Sequence, residues 1–137
     1  MTQGLQTLAN TIDLVTGKTT WARVYVRSRT AAWKVIGDLG ATLDGTSLGG
    51  RTVCHPATAR PGARPEDRRE DWDSTLNCML PAAWVEKPGT LEVDARIVPY
   101  EADDPVRGDN ATSVELDVES SPTMHFDIVE VRDGGFL

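Results

Sequence analysis

Residues Gly89 to Tyr100, GTLEVDARIVPY, place apolar side chains at every second position: Leu91, Val93, Ala95 and Ile97. A two-residue period is the mark of a β-strand with one buried face. The alternate set, Glu92, Asp94 and Arg96, is charged and faces water. Such a strand cannot bury its apolar face alone, so the rest of the chain must supply strands to pair with it and a layer to cover it.

Other runs carry the same period. Trp21 to Arg27 puts Ala22, Val24 and Val26 on one face and Trp21, Arg23, Tyr25 and Arg27 on the other. Ala32 to Leu43 reads as a long central strand with Trp33, Val35, Leu39, Ala41 and Leu43 inward, against Lys34, Asp38 and Thr42 outward. Trp33 stands where a β-sandwich keeps a large core side chain and is predicted to be structural. Ser74 to Leu80 sets Leu76, Cys78 and Leu80 on one side, and Pro81-Ala82-Ala83-Trp84 follows as a turn with a single helical turn. Thr112 to Val118 directs Val114, Leu116 and Val118 inward and is expected to pair with Gly89 to Tyr100 as a hairpin. Leu5 to Val15 reads as an edge strand broken at Asn10, and Met124 to Arg132 as either an extra edge strand or a connection to a following domain. Asp44-Gly45 and Gly49-Gly50 mark turns. Between Pro56 and Asp73 hardly an apolar residue occurs before Trp72, which predicts a long excursion with Trp72 tucked against the sheet.

The expectation is therefore an all-β fold, an antiparallel immunoglobulin-like β-sandwich of about seven to eight strands. Residues 1–119 would form the domain and 120–137 the extra strand or connection. A chain of 137 residues suffices to bury such a core.

Composition excludes several classes. A hydrophobic fraction of 39 % with no apolar run near the ~20 residues of a membrane helix argues against a bilayer-spanning helix. The net charge of −7 argues against nucleic acid or an anionic membrane as partner, since both require cationic surface. The basic stretch Arg60 to Arg69 is interleaved with Pro, Gly and Glu and reads as a solvated loop. The opening Met-Thr-Gln-Gly-Leu lacks a basic segment followed by an apolar one, the pattern of a signal peptide. A domain cut from a longer secreted protein would also begin this way. The two cysteines, Cys54 and Cys78, are either one disulfide or two buried thiols. Closing that loop would stabilise the fold by roughly 3–4 kcal/mol on the chain-entropy model.

Motifs for catalysis are sparse. Gly17-Lys18-Thr19 fails as a phosphate loop, because Ile12 stands where the earlier glycine is needed and a strand follows where a helix is needed. His55 and His125 lie in no metal-binding spacing, neighbouring Cys54 and His55 point to opposite faces of a strand, and no Gly-x-Ser-x-Gly elbow occurs. No catalytic residue is assigned. No cofactor is expected beyond calcium, for which Glu101, Asp103, Asp104 and Asp109 supply hard oxygen donors within one turn. The competing reading is a solvated acidic loop, since the spacing matches no EF-hand. Asn110-Ala111-Thr112 is formally a glycosylation sequon. The row Trp21, Arg23, Tyr25, Arg27, with Trp84, is the candidate binding surface, as aromatic and guanidinium groups suit cation–π stacking on a sheet.

The segments LVTGKTTWARVYVRS, LGGRTV, STLNCMLPAAWVEKPGTLEVDARIVP and EADDPVRGDNATSVELDV together resemble a family. It is the cell-adhesion-related (CARDB-like) immunoglobulin-like β-sandwich domains of secreted bacterial proteins, often placed beside a metallopeptidase-like module. Two departures stand out: Asp109-Asn110 where similar domains tend to carry Asn-Asn, and the Arg/Pro insertion between Cys54 and Asp73. The resemblance implies a non-catalytic extracellular or cell-surface module. It would act as a spacer or interaction domain toward a neighbouring domain of the same chain or another protein. A carbohydrate- or protein-binding adhesion module using exposed aromatics is the alternative, and part of a secreted hydrolase the third. Self-association through the Met124 to Arg132 edge is a further expectation.

Overall fold

The computed structural model describes residues 11–62, 71–100, 108 and 110–121. They form an all-β structure of two sheets. The strands are β1 (Leu14–Val15), β2 (Trp21–Tyr25), β3 (Trp33–Leu43), β4 (Thr46–Ser47), β5 (Thr52–Val53), β6 (Ala57–Ala59), β7 (Thr75–Met79), β8 (Gly89–Pro99) and β9 (Ala111–Glu119).

The large sheet is organised by β3 and β8, antiparallel in an unbroken register from Val35↔Pro99 to Leu43↔Leu91. β8 pairs on its other side with β9, from Gly89↔Val118 to Arg96↔Ala111, so the expected hairpin forms. Alternation sends Leu39, Ala41, Leu91, Val93, Ala95, Leu116 and Val118 into the core. The second edge of β3 is shared by three short strands in turn: β4 at Thr42↔Ser47, β5 at Asp38↔Val53 and β6 at Trp33↔Ala59. Leu43 and Thr46 flank Asp44-Gly45, whose φ values of 49° and 75° are the left-handed pair a two-residue hairpin needs. The Asp44 carboxylate then accepts from the Thr90 amide at 2.9 Å, pinning the turn to β8.

β2 and β7 form the second sheet, antiparallel from Trp21↔Met79 to Tyr25↔Thr75. It approaches the large sheet at Gly37, where an added Cβ would stand 2.7 Å from Leu76 Cδ1 and 2.8 Å from the Arg96 carbonyl oxygen. A bridge between His55 and Asn77, with the His55 amide donating to the Asn77 carbonyl at 2.9 Å, joins the two sheets. In that antiparallel register Cys54 lies directly opposite Cys78. Their Cα atoms are 4.3 Å apart, close to the spacing of a cross-strand pair not joined by backbone hydrogen bonds, and the two sulfurs are bonded.

Four expectations need correction. Trp33 is not a core residue: as the first residue of β3 it is 39 % exposed, and the burial of that face starts at Val35. Among the described residues the large buried aromatic is Trp84, at 3 % exposure, so it is no surface binding residue. It belongs to a 3-10 turn, Ala82–Val85, where the two-residue period does not apply. The stretch after Pro56 is not wholly irregular, since Ala57 and Ala59 of β6 are buried against β3. Small side chains at alternate positions suffice for that edge. Pairing is not uniformly antiparallel either, because β1 runs parallel to β9 at Leu14↔Val118 and Val15↔Glu119. Residues Leu5 to Asn10 and Met124 to Arg132 lie outside the described residues.

Candidate functional site

On the outer face of β2 and β7, Trp21, Arg23 and Tyr25 are half-buried and Arg27 is exposed just beyond β2. A second tryptophan completes the surface. Trp72, at the start of the 3-10 turn Trp72–Ser74, lies over the sheet with its ring centroid 5.9 Å from that of Trp21, edge to face. The Arg23 guanidinium carbon is 5.5 Å from the centre of the Trp72 ring, within cation–π range, and the His55 ring lies tilted at 6.5 Å.

This surface is held from beneath by Asn77, which is 2 % exposed although it points to the outer side of β7. Its amide nitrogen donates to the carbonyls of Trp72 and Thr75, both at 2.9 Å, while its carbonyl oxygen accepts from Arg23 Nε at 3.1 Å. A buried amide with its groups satisfied in this way is fixed in orientation. It therefore fixes both the backbone of Trp72 and the guanidinium over its ring. Asp71 supplies the cap of the turn, its Oδ1 accepting from the Asp73 amide at 3.1 Å.

Trp72 remains 48 % exposed, and Met79, opposite Trp21 in the register, is 54 % exposed. Beyond Met79 the surface dips into a shallow depression of about 290 Å³ lined by Lys18, Thr19, Thr52, Met79 and Pro81 among others. The Thr52 hydroxyl, also lining it, donates to the Met79 carbonyl at 3.3 Å.

The structure thus brings Trp21 and Arg23 together with Trp72, places Tyr25 and Arg27 further along the same strand direction, and removes Trp84 to the core. His55, Met79 and Asn77 are the participants that alternation along β2 could not reveal. An asparagine inside the otherwise apolar run Leu76 to Leu80 was their only sequence signal. Cys54 and Cys78 are joined in the disulfide, so Cys54 is not a nucleophile beside His55. The calcium candidates Glu101, Asp103, Asp104 and Asp109 lie outside the described residues. Among the described residues, no group of three or more His, Cys, Asp or Glu side chains is placed to hold a metal ion.

A separate polar network sits on the outer face of the large sheet. Arg51 Nε contacts Asp38 Oδ1 and Arg51 Nη2 contacts Asp94 Oδ2, both at 2.7 Å, tying β3 to β8. The hydrogen bond with Asp94, then that with Asp38, raises the Arg51 pKa above the ordinary arginine value despite partial desolvation. Gly40 makes room for this guanidinium, since a Cβ there would fall onto Arg51 Nη1 and 2.6 Å from Asp94 Oδ1. Compared with known protein families, curated proteins and solved structures, the chain gives no match.

Proposed function

We propose that this chain is a non-catalytic immunoglobulin-like β-sandwich module of an extracellular protein, and that it binds a partner with the aromatic–arginine face of β2 and β7. One observation carries the reading: Trp72 is exposed over about half its surface, 48 %, yet its backbone carbonyl is held by a buried asparagine and its ring is flanked by Trp21 and Arg23. Rigid, exposed aromatic groups are what a binding surface requires, because little conformational entropy is lost when a ligand settles on them. The Cys54–Cys78 bond supports an oxidising, extracellular location.

A spacer role is the second reading, favoured by the apolar side chains Ile36, Val53, Val98 and Tyr100 exposed on the large sheet, where a neighbouring domain could pack.

The test is an array of oligosaccharides and extended peptides probed with the wild type and with Trp72→Ala, both checked for folding by circular dichroism and melting. The binding-module reading expects a saturable ligand that Trp72→Ala loses. It fails if no ligand saturates, or if every ligand binds the variant as well as the wild type.

A further inference from the structure

We infer that the open edge of β9 takes up an extended, basic segment of another protein as an added strand of the large sheet. This site is separate from the aromatic face, which belongs to the other sheet. β1 covers only the far end of the edge, at Leu14↔Val118 and Val15↔Glu119. From Ala111 to Leu116 no described strand pairs with β9 on the side away from β8.

The hydrogen-bond register shows which backbone groups that leaves. The Ile97 amide donates to the Asn110 carbonyl at 2.9 Å on the β8 side, and the Thr16 amide donates to the Glu119 carbonyl at 2.8 Å on the β1 side. Directions alternate along an antiparallel strand, so Thr112, Val114 and Leu116 aim at β8 while Ala111, Ser113 and Glu115 aim outward. The N–H and C=O groups of these last three residues have no partner among the described residues. An extended chain can satisfy such a row by main-chain bonding.

The side chains select the occupant. On the outer face Glu115 stands directly opposite Glu92, in a pair not joined by backbone hydrogen bonds, where side chains come closest. Both are exposed, and like charges so placed repel. The arginines of that face are engaged elsewhere, Arg51 with Asp38 and Asp94, and Arg96 with Asp94. Asp117 extends the acidic row, its carboxylate accepting from the Thr90 hydroxyl at 3.2 Å. A strand laid along this edge sets its outward side chains beside Glu115 and Asp117, so lysine or arginine there relieves the repulsion. Its other face adjoins Thr112 and Val114, the latter half-buried against the core, which favours β-branched apolar residues. A second copy of β9 is disfavoured, because it adds carboxylates to carboxylates. The partner segment therefore alternates cationic with β-branched residues.

The test is fluorescence anisotropy of labelled peptides titrated with the full chain. The probes are a short peptide of alternating lysine and valine, one of alternating glutamate and valine, and one with the lysines and valines of the first in two blocks. Ser113→Pro removes an outward N–H and spares the ladder to β8, so β9 is expected to form while its edge is blocked. Glu115→Lys ends the Glu92 repulsion, so its melting temperature should not fall and its effect does not depend on how well Ser113→Pro folds. Asp73→Lys makes the same charge change beside Trp72, and Trp72→Ala removes the aromatic face. The expectation is saturable, salt-sensitive binding of the alternating lysine peptide, weakened about tenfold or more in Ser113→Pro and in Glu115→Lys and unchanged in Asp73→Lys and Trp72→Ala. The inference is overturned if the blocked or glutamate peptide binds as well, or if no probe binds. It is also overturned if Glu115→Lys or folded Ser113→Pro binds like the wild type, if Asp73→Lys weakens binding as much as Glu115→Lys, or if Trp72→Ala abolishes it. Loss of the inference on the first two grounds leaves the aromatic-face reading standing.

Discussion

The side-chain amide of Asn77 donates to the backbone carbonyl of Trp72 at 2.9 Å, across five residues of chain that change direction between them. The same side chain accepts from Arg23 on the neighbouring strand. One buried group thus holds the two partners of the cation–π contact in position. Asn77→Ala is expected to destabilise the fold by about 1–3 kcal/mol, since buried polar groups lose their partners. It should also loosen Trp72, seen as a red-shifted and more readily quenched fluorescence. Unchanged quenching together with an unchanged melting temperature would show that Trp72 is held by ring contacts alone.

Trp84 and Trp33 exchange the roles their sequence positions suggest, and the difference is measurable. Trp84 belongs to the hydrophobic core at 3 % exposure, whereas Trp33 stands at the start of β3. Trp84→Ala should cost about 3–5 kcal/mol, the usual range for emptying an aromatic site in a core. Trp33→Ala should cost about 1 kcal/mol or less, as for a surface change. Chemical denaturation of the two variants decides between these assignments, and equal losses would contradict the burial seen here.

The same contrast explains how much of the fold is legible in the residues. β3, β8 and β9 are long strands with one wet face, so their alternation fixes both strand and orientation. β4, β5 and β6 are two or three residues long and exist because β3 offers an edge to pair with, a fact no local pattern contains. β7 is masked in a different way. Thr75 and Asn77 on its outer side are as buried as Leu76 and Cys78 on its inner side, because Trp72 and Arg23 fold over them. The candidate site is correspondingly half legible. Its β2 members follow from alternation, while Trp72, Met79 and His55 arrive by tertiary pairing, and Trp84 is lost to the core through a 3-10 turn.

The Cys54–Cys78 bond crosslinks the two sheets beside the His55–Asn77 bridge. Replacing both cysteines by alanine is expected to lower stability by about 3–4 kcal/mol if loop closure dominates. The loss should appear in urea unfolding without reductant and vanish when the wild type is compared under reducing conditions. Identical midpoints for wild type and variant in oxidising buffer would show that the bond does not contribute.

Gly40 and Arg51 are coupled sterically, because the guanidinium that joins Asp38 to Asp94 passes over the glycine where a side chain would stand. Gly40→Ala should destabilise by about 1–3 kcal/mol through crowding. The penalty should shrink in an Arg51→Ala background, a non-additivity that a double-mutant cycle reads directly. Arg51→Met, which keeps the aliphatic stem, should cost about 0.5–1 kcal/mol, since both ion pairs are partly exposed to solvent. The pH dependence follows from the sign of the shift. A cationic group whose pKa is raised on folding contributes its full stabilisation below its unfolded value and loses it only as pH rises through the folded one. For arginine that window lies far above neutrality. The stability difference between wild type and Arg51→Met should therefore stay constant from neutral to mildly alkaline pH. A difference that declines across that range would mean that a group other than this guanidinium controls the clamp.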